Sequence, residues 1–104
     1  MKNNQHQTHD EYLRGKLTNP EFASEFARAK RELEFAVSLA LLREAQGWTQ
    51  SDLEAQSGVP QETISRIERG RIPAVPTLKR LAKALNASVL ILPDDRVLFQ
   101  PYTG

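Results

Sequence analysis

Between residues 61 and 71 the chain places Gln61, Glu62, Thr63, Ser65, Arg66, Arg69 and Arg71, a dense series of amide, hydroxyl, carboxylate and guanidinium groups. Such groups recognise other polar surfaces by hydrogen bonding and charge. Nothing beside them points to bond-making chemistry. There is no cysteine, which removes thiolate nucleophiles, disulfides and thiolate metal sites. The two histidines, His6 and His9, stand three apart in a polar opening segment where no set of ligands completes a metal site. No glycine-rich phosphate loop is present, and no paired carboxylates mark a pocket. An enzyme is therefore not expected, and neither is a cofactor or a metal.

The charge is uneven. Over all 104 residues the net charge is only +1, but residues 1–58 hold seven Lys/Arg against nine Asp/Glu, whereas residues 59–85 hold six against two. The recognition groups thus lie in the basic third of the chain, where Lys79, Arg80 and Lys83 join the arginines. A solvated helical face would produce the same excess, so charge alone does not choose a partner. The composition, 39% apolar and 26% charged, is that of a globular domain with a small core. The opening residues carry no apolar run like that of a signal peptide, and no stretch is apolar enough to span a bilayer. The cytoplasm is the expected setting.

Several helices must position these groups. Residues 1–17 read as a flexible polar tail. Thr18 or Asn19 caps a helix that has Pro20 in its first turn and an apolar stripe through Phe22, Phe26, Ala29, Leu33, Val37 and Ala40. A second stripe through Leu39, Leu42 and Ala45 marks the later part as interior, and Gly47 ends it; whether residues 20–46 form one helix or two stays open. Thr49 and Asp52 form a capping box at the start of a short helix that stops at Gly58. Pro60 then leads into the helix of Ile64 and Ile67, which face inward and leave the recognition groups outside. After a proline loop over 72–76, a helix from Thr77 to Leu85 buries Leu78, Leu81, Ala82 and Leu85 and ends at Asn86. The period then changes to that of two short strands, with Val89, Leu90, Ile91 and Leu92 before a Pro93–Arg96 turn and Val97, Leu98 and Phe99 after it. Both faces of that hairpin are apolar, so it needs a partner surface, and a second copy of the chain meeting it across a two-fold axis would supply one.

A helix, a tight glycine turn and a second helix with outward polar groups is the helix-turn-helix order. The segment from Thr49 to Leu85 resembles the Xre/Cro-type repressors, through Thr49-Gln50, Gly58, Gln61, Ile64-Ser65-Arg66-Ile67-Glu68, Gly70, Thr77-Leu78 and Ala82-Lys83-Ala84-Leu85. Asn19-Pro20-Glu21-Phe22, Leu42-Arg43-Glu44-Ala45, Gly47-Trp48 and the final strands resemble antitoxins of the HigA and HipB types. The resemblance implies a mainly α fold, a helical bundle with a repressor-like helix-turn-helix over residues 35–86, preceded by a helical extension over 18–34 and followed by a dimerising strand segment over 87–104. It implies a DNA-binding repressor whose second motif helix enters the major groove, the antitoxin of an operon that it autoregulates, with a ribonuclease toxin as partner. A free-standing regulator, or a module that binds only protein, are the alternatives.

On that reading Thr49 and Gln50 meet a phosphate at the start of the first motif helix, while Gln61 and Glu62 read adenine and cytosine edges. Thr63 and Ser65 reach a thymine methyl or a phosphate, and Arg66 takes a guanine or lies on the backbone. Arg69, Arg71 and Lys79 meet phosphates. In the repressors this chain resembles, residues matching Arg43 and Glu68 form a buried ion pair, which makes that pair structural here. Two residues depart from the family pattern: Glu54 replaces a small alanine at the helix contact, so that it must reach solvent or a partner such as Arg66, and Pro60 replaces a capping serine or threonine. The Phe22, Phe26 and Leu33 stripe is a candidate toxin surface or a face packed on the protein's own core.

Overall fold

The structure, a computed structural model, describes residues 9–102. The chain divides into two compact units, residues 1–30 and 31–104.

In the first unit α1 (His9–Leu17) is a helix where a flexible tail is expected. Asp10 and Glu11 in its first turn and Arg14 and Lys16 in its last complement the helix dipole, a pattern that hydropathy alone overlooks. The Lys16 ammonium lies 5.6 Å from the Tyr12 ring centre and 6.0 Å from that of Phe22. Asn19 rather than Thr18 caps the next helix, its Oδ1 accepting from the Glu21 and Phe22 amides at 2.9 and 3.2 Å. That helix, α2 (Pro20–Ala45), runs unbroken for 26 residues.

The second unit is built on the later part of α2. The residues buried there are Phe35, Ala36 and Leu39, and Leu42 packs against the same core. In this unit Leu33 and Val37 of the first stripe fall on another face, 63% and 43% exposed, with Leu41, in neither stripe, 60% exposed. The helix thus carries two apolar faces, and periodicity alone does not tell which is covered.

Three further helices close the core. In α3 (Gln50–Ser57) the capping box forms, with the Asp52 amide donating to Thr49 Oγ1 at 3.0 Å and the Thr49 amide to Asp52 Oδ2 at 2.8 Å. Gly58 turns the chain at φ 77° and Val59 plugs the junction. In α4 (Gln61–Ile67) Ile64 and Ile67 are buried. The last helix, α5 (Val75–Leu85), starts two residues earlier than the prolines suggest, because Pro76 lies in its first turn where a missing N–H costs nothing. Leu78, Leu81, Ala82 and Leu85 point inward, and Asn86 ends the helix at φ 51°.

The hairpin of β1 (Ala87–Ile91) and β2 (Val97–Pro101) is antiparallel, with Val89 opposite Phe99 and Leu90 opposite Leu98. Asp95, at φ 68°, completes the turn, and Leu92 and Arg96 close it. The Phe99 ring stacks on Phe35 with centres 5.5 Å apart, and its amide donates to Ser38 Oγ at 3.0 Å. Since that amide points away from β1, Val89 and Phe99 form a non-hydrogen-bonded pair, so the peptide groups of Ala87, Val89 and Ile91 face the outer edge of β1. No further strand covers that edge among the described residues. The fold is mostly helical, ending in one two-stranded sheet.

Candidate nucleic-acid interface

With Ile64 and Ile67 fixed inward, the helical period turns Gln61, Glu62, Arg66 and Arg69 to solvent and leaves Thr63 and Ser65 half-buried. The outward groups are held by bonds across one turn. Arg66 Nη2 donates to Glu62 Oε1, their side chains 56% and 75% exposed, and Arg69 Nη1 donates to Ser65 Oγ at 3.1 Å. Glu54 is exposed and reaches solvent instead of Arg66. Arg71 follows Gly70 in the exposed loop. Together Arg66, Arg69 and Arg71 line an open basin of about 510 Å³ with Glu32, Gly70 and Ile72.

Gly70 is required there. Its φ is 108°, and a Cβ on it would stand 3.2 Å from the Glu32 Cβ, so the end of α4 approaches α2 only through a residue without a side chain.

Arg43 and Glu68 fix α4 from behind. Arg43 Nε and Nη2 donate to the two Glu68 oxygens at 2.7 and 3.0 Å, and Nη1 donates to the Trp48 carbonyl at 2.7 Å. Both side chains are largely buried, 13% and 9% exposed, and the Glu68 bond raises the pKa of the Arg43 guanidinium above its ordinary value. Gln50 Nε2 adds a third donor to Glu68 Oε1 at 3.1 Å. Gln50, expected at a phosphate, thus spends its amide inside the protein, because the carboxylate one helix away is the better-desolvated acceptor. Thr49 Oγ1 is likewise occupied by the Asp52 amide. Trp48 packs half-buried against the core.

A helix-turn-helix sequence profile matches residues 39–92, just over half the chain. The chain belongs to the helix-turn-helix family. Two curated relatives from Sinorhizobium fredii agree. One, the uncharacterized HTH-type transcriptional regulator y4dJ, is 45% identical over 65 residues, which is 60% of this chain and 84% of the relative. The other, the uncharacterized HTH-type transcriptional regulator y4dL, is 41% identical over 56 residues, 53% of this chain but 29% of its own length. No solved structure matches.

In this helix-turn-helix, α3 and α4 are the two motif helices, and the profile continues through α5 into the hairpin. Sequence reasoning missed Phe35 and Ser38. Phe35 lies just outside both apolar stripes read from the sequence, and Ser38 reads as an ordinary polar helix residue until the strand reaches it. His6 lies outside the described residues, while His9 is exposed on α1. Among the described residues no group of three His, Asp or Glu could hold a metal ion, and no helix is long and apolar enough to cross a membrane.

Proposed function

We propose that the chain is a sequence-specific DNA-binding transcriptional repressor that acts in the cytoplasm as a dimer on a two-fold operator. The observation that carries this reading is the row of Gln61, Glu62, Arg66 and Arg69, exposed on a helix whose inner face and rear ion pair are fixed. A rigid helix with amide, carboxylate and guanidinium groups suits base edges in the major groove. Thr63 and Ser65 stand beside them, and Arg69, Arg71 and Lys79 supply phosphate contacts. Thr49 and Gln50 would contribute mainly through backbone amides at the start of α3, since their side chains serve the fold. The names of the two relatives, both transcriptional regulators, support the same reading.

Dimerisation runs through the hairpin. Leu90 and Leu98 lie on the face opposite Val89 and Phe99, Ile91 is 68% exposed, and among the described residues no strand lies beside the outer edge of β1. With Leu92 and Val97 these residues form the surface that a second copy covers. Two α4 helices would then enter successive major grooves about 34 Å apart and obstruct the polymerase.

The finer reading is that of an antitoxin of the HigA or HipB type, autoregulating its operon and holding a ribonuclease toxin. The exposure of Leu33, Val37 and Leu41 along α2 supports a protein partner. In the first unit Phe22 is half-buried and Phe26 is exposed. The same stripe favours the second reading, a helix-turn-helix used only to bind protein.

The test is a titration of the chain against its own upstream DNA at low and high salt, with Gln61→Ala and Arg66→Ala beside it. Specific binding that falls steeply with salt and is weakened by both changes establishes the repressor; no retention at any salt leaves the protein-only module. Co-purification with the product of an adjacent gene separates the antitoxin from a free-standing regulator.

A further inference from the structure

We infer that Glu62 and Arg66 read DNA as a single unit, with Glu62 the positioning residue that fixes the Arg66 guanidinium on a guanine, so that the pair selects adjacent G·C base pairs. This rests on the DNA-binding reading and adds a division of labour among the α4 side chains.

The pair joins two of the outward groups across one helical turn, where Arg66 Nη2 donates to Glu62 Oε1 with both side chains more than half exposed. A surface pair of this kind adds little to folding, so its consequence is geometric. A free arginine samples many rotamers, whereas a bidentate contact with guanine O6 and N7 needs one. Each Nη carries two hydrogens. One hydrogen of Nη2 is used on Glu62, and its second, together with one of Nη1, leaves the end-on fork intact for guanine. The lone pairs of Glu62 Oε2 stay open to a cytosine N4 donor on the neighbouring base pair.

The other arginines differ. Arg69 is held by the neutral Ser65 hydroxyl, and among the described residues no side-chain hydrogen bond or ion pair engages Arg71. Those two keep their full charge for phosphates. The Glu62–Arg66 pair is neutral as a unit, and so adds little to sequence-independent attraction. On a site without the matching guanine the pair stays neutral and offers the phosphates no net attraction, which works against wrong sequences.

The experiment selects duplexes from a randomised pool with the full chain, with Glu62→Gln and with Arg66→Ala, and then measures binding to the selected duplex and to an unrelated one across a salt series. Circular dichroism of each variant reports its fold separately. The wild type is expected to select G·C at two adjacent positions, and both preferences should vanish together in either variant. Glu62→Gln should lower the ratio of selected to unrelated affinity about tenfold or more while raising affinity for the unrelated duplex. The double variant should be no worse than Arg66→Ala, and Arg66→Ala should leave the salt slope unchanged. Losses that multiply in the double variant, or Glu62→Gln altering one base pair alone, overturn the inference and leave DNA binding standing. A slope flattened by about 0.9 in Arg66→Ala would put that residue on a phosphate and overturn it too. Failure of the wild type to retain any duplex at any salt removes the DNA reading and the inference with it.

Discussion

The molecule contains two arginine–glutamate pairs about one helix, and they differ in almost everything except chemistry. Arg43–Glu68 joins α2 to the end of α4, is bidentate, and takes further donors and acceptors from Gln50 and Trp48. Glu62–Arg66 lies within α4, has a single bond and faces solvent. Removing one partner of the first leaves a charge with little water to receive it; removing one partner of the second leaves a charge already hydrated. The same two residue types therefore build the scaffold in one place and remain available for a ligand in the other. Burial decides which.

The contrast breaks most directly at Glu68. Glu68→Ala should cost about 3 to 5 kcal/mol in urea unfolding, since Arg43 and the Gln50 amide both lose their acceptor. A loss below about 1 kcal/mol would mean that water already reaches the guanidinium, and the two pairs would not differ in kind.

Gly70, between Glu68 and the basic loop, tests whether the approach to α2 is as tight as the pair requires. Gly70→Ala combines an unfavourable φ with a 3.2 Å contact to Glu32 Cβ, and should cost about 1 to 3 kcal/mol in thermal unfolding. An unchanged melting temperature would show that the loop relaxes freely.

Ser38 extends the contrast to a neutral group. Its hydroxyl donates to the Phe35 carbonyl at 2.7 Å and accepts from the Phe99 amide. Ser38→Ala strands that amide and should cost about 1 kcal/mol, with faster hydrogen exchange at Phe99. Unaltered exchange there would mean that the hairpin is held by ring stacking alone.

The smallest effects belong to the exposed pairs. Glu62→Ala should change folding stability by no more than about 0.5 kcal/mol while altering DNA selection. At the hairpin turn, the hydrogen bond from Arg96 holds the Asp94 carboxyl below its ordinary pKa of 3.8. A lowered folded-state pKa contributes stability above that ordinary value and loses it as pH falls through the lower one. An acid titration of Asp94→Asn should therefore lack that small loss below pH 3.8, and a curve identical to the wild type would remove Asp94 from the acid response.

Local chemistry was the legible part of this chain. The Thr49–Asp52 box, the glycine turn at Gly58, the inward Ile64 and Ile67, the Asn86 stop and the hairpin all follow from contacts within a few residues, and the sequence therefore fixes the order helix, turn, helix and the outward row on α4. Pro76 suits a loop and a first turn equally well, so the start of α5 is not legible from its prolines. The signal of helix α1 is end charge rather than an apolar stripe, which leaves it hidden from periodicity.

Choices between equivalent faces needed the tertiary structure. Residues 33–42 offer two apolar stripes, and the core built by α3, α4, α5 and Phe99 decides that one is buried and the other exposed. Gln50 reads from the sequence as a phosphate donor, and in the structure its Nε2 donates to Glu68, eighteen residues away. The sequence offers Arg66 as a partner for Glu54, but the helical turn brings Glu62 to Arg66 while Glu54 stays in solvent. Periodicity records that a residue has a face, but the burial that gives the face its energy is a property of what packs against it.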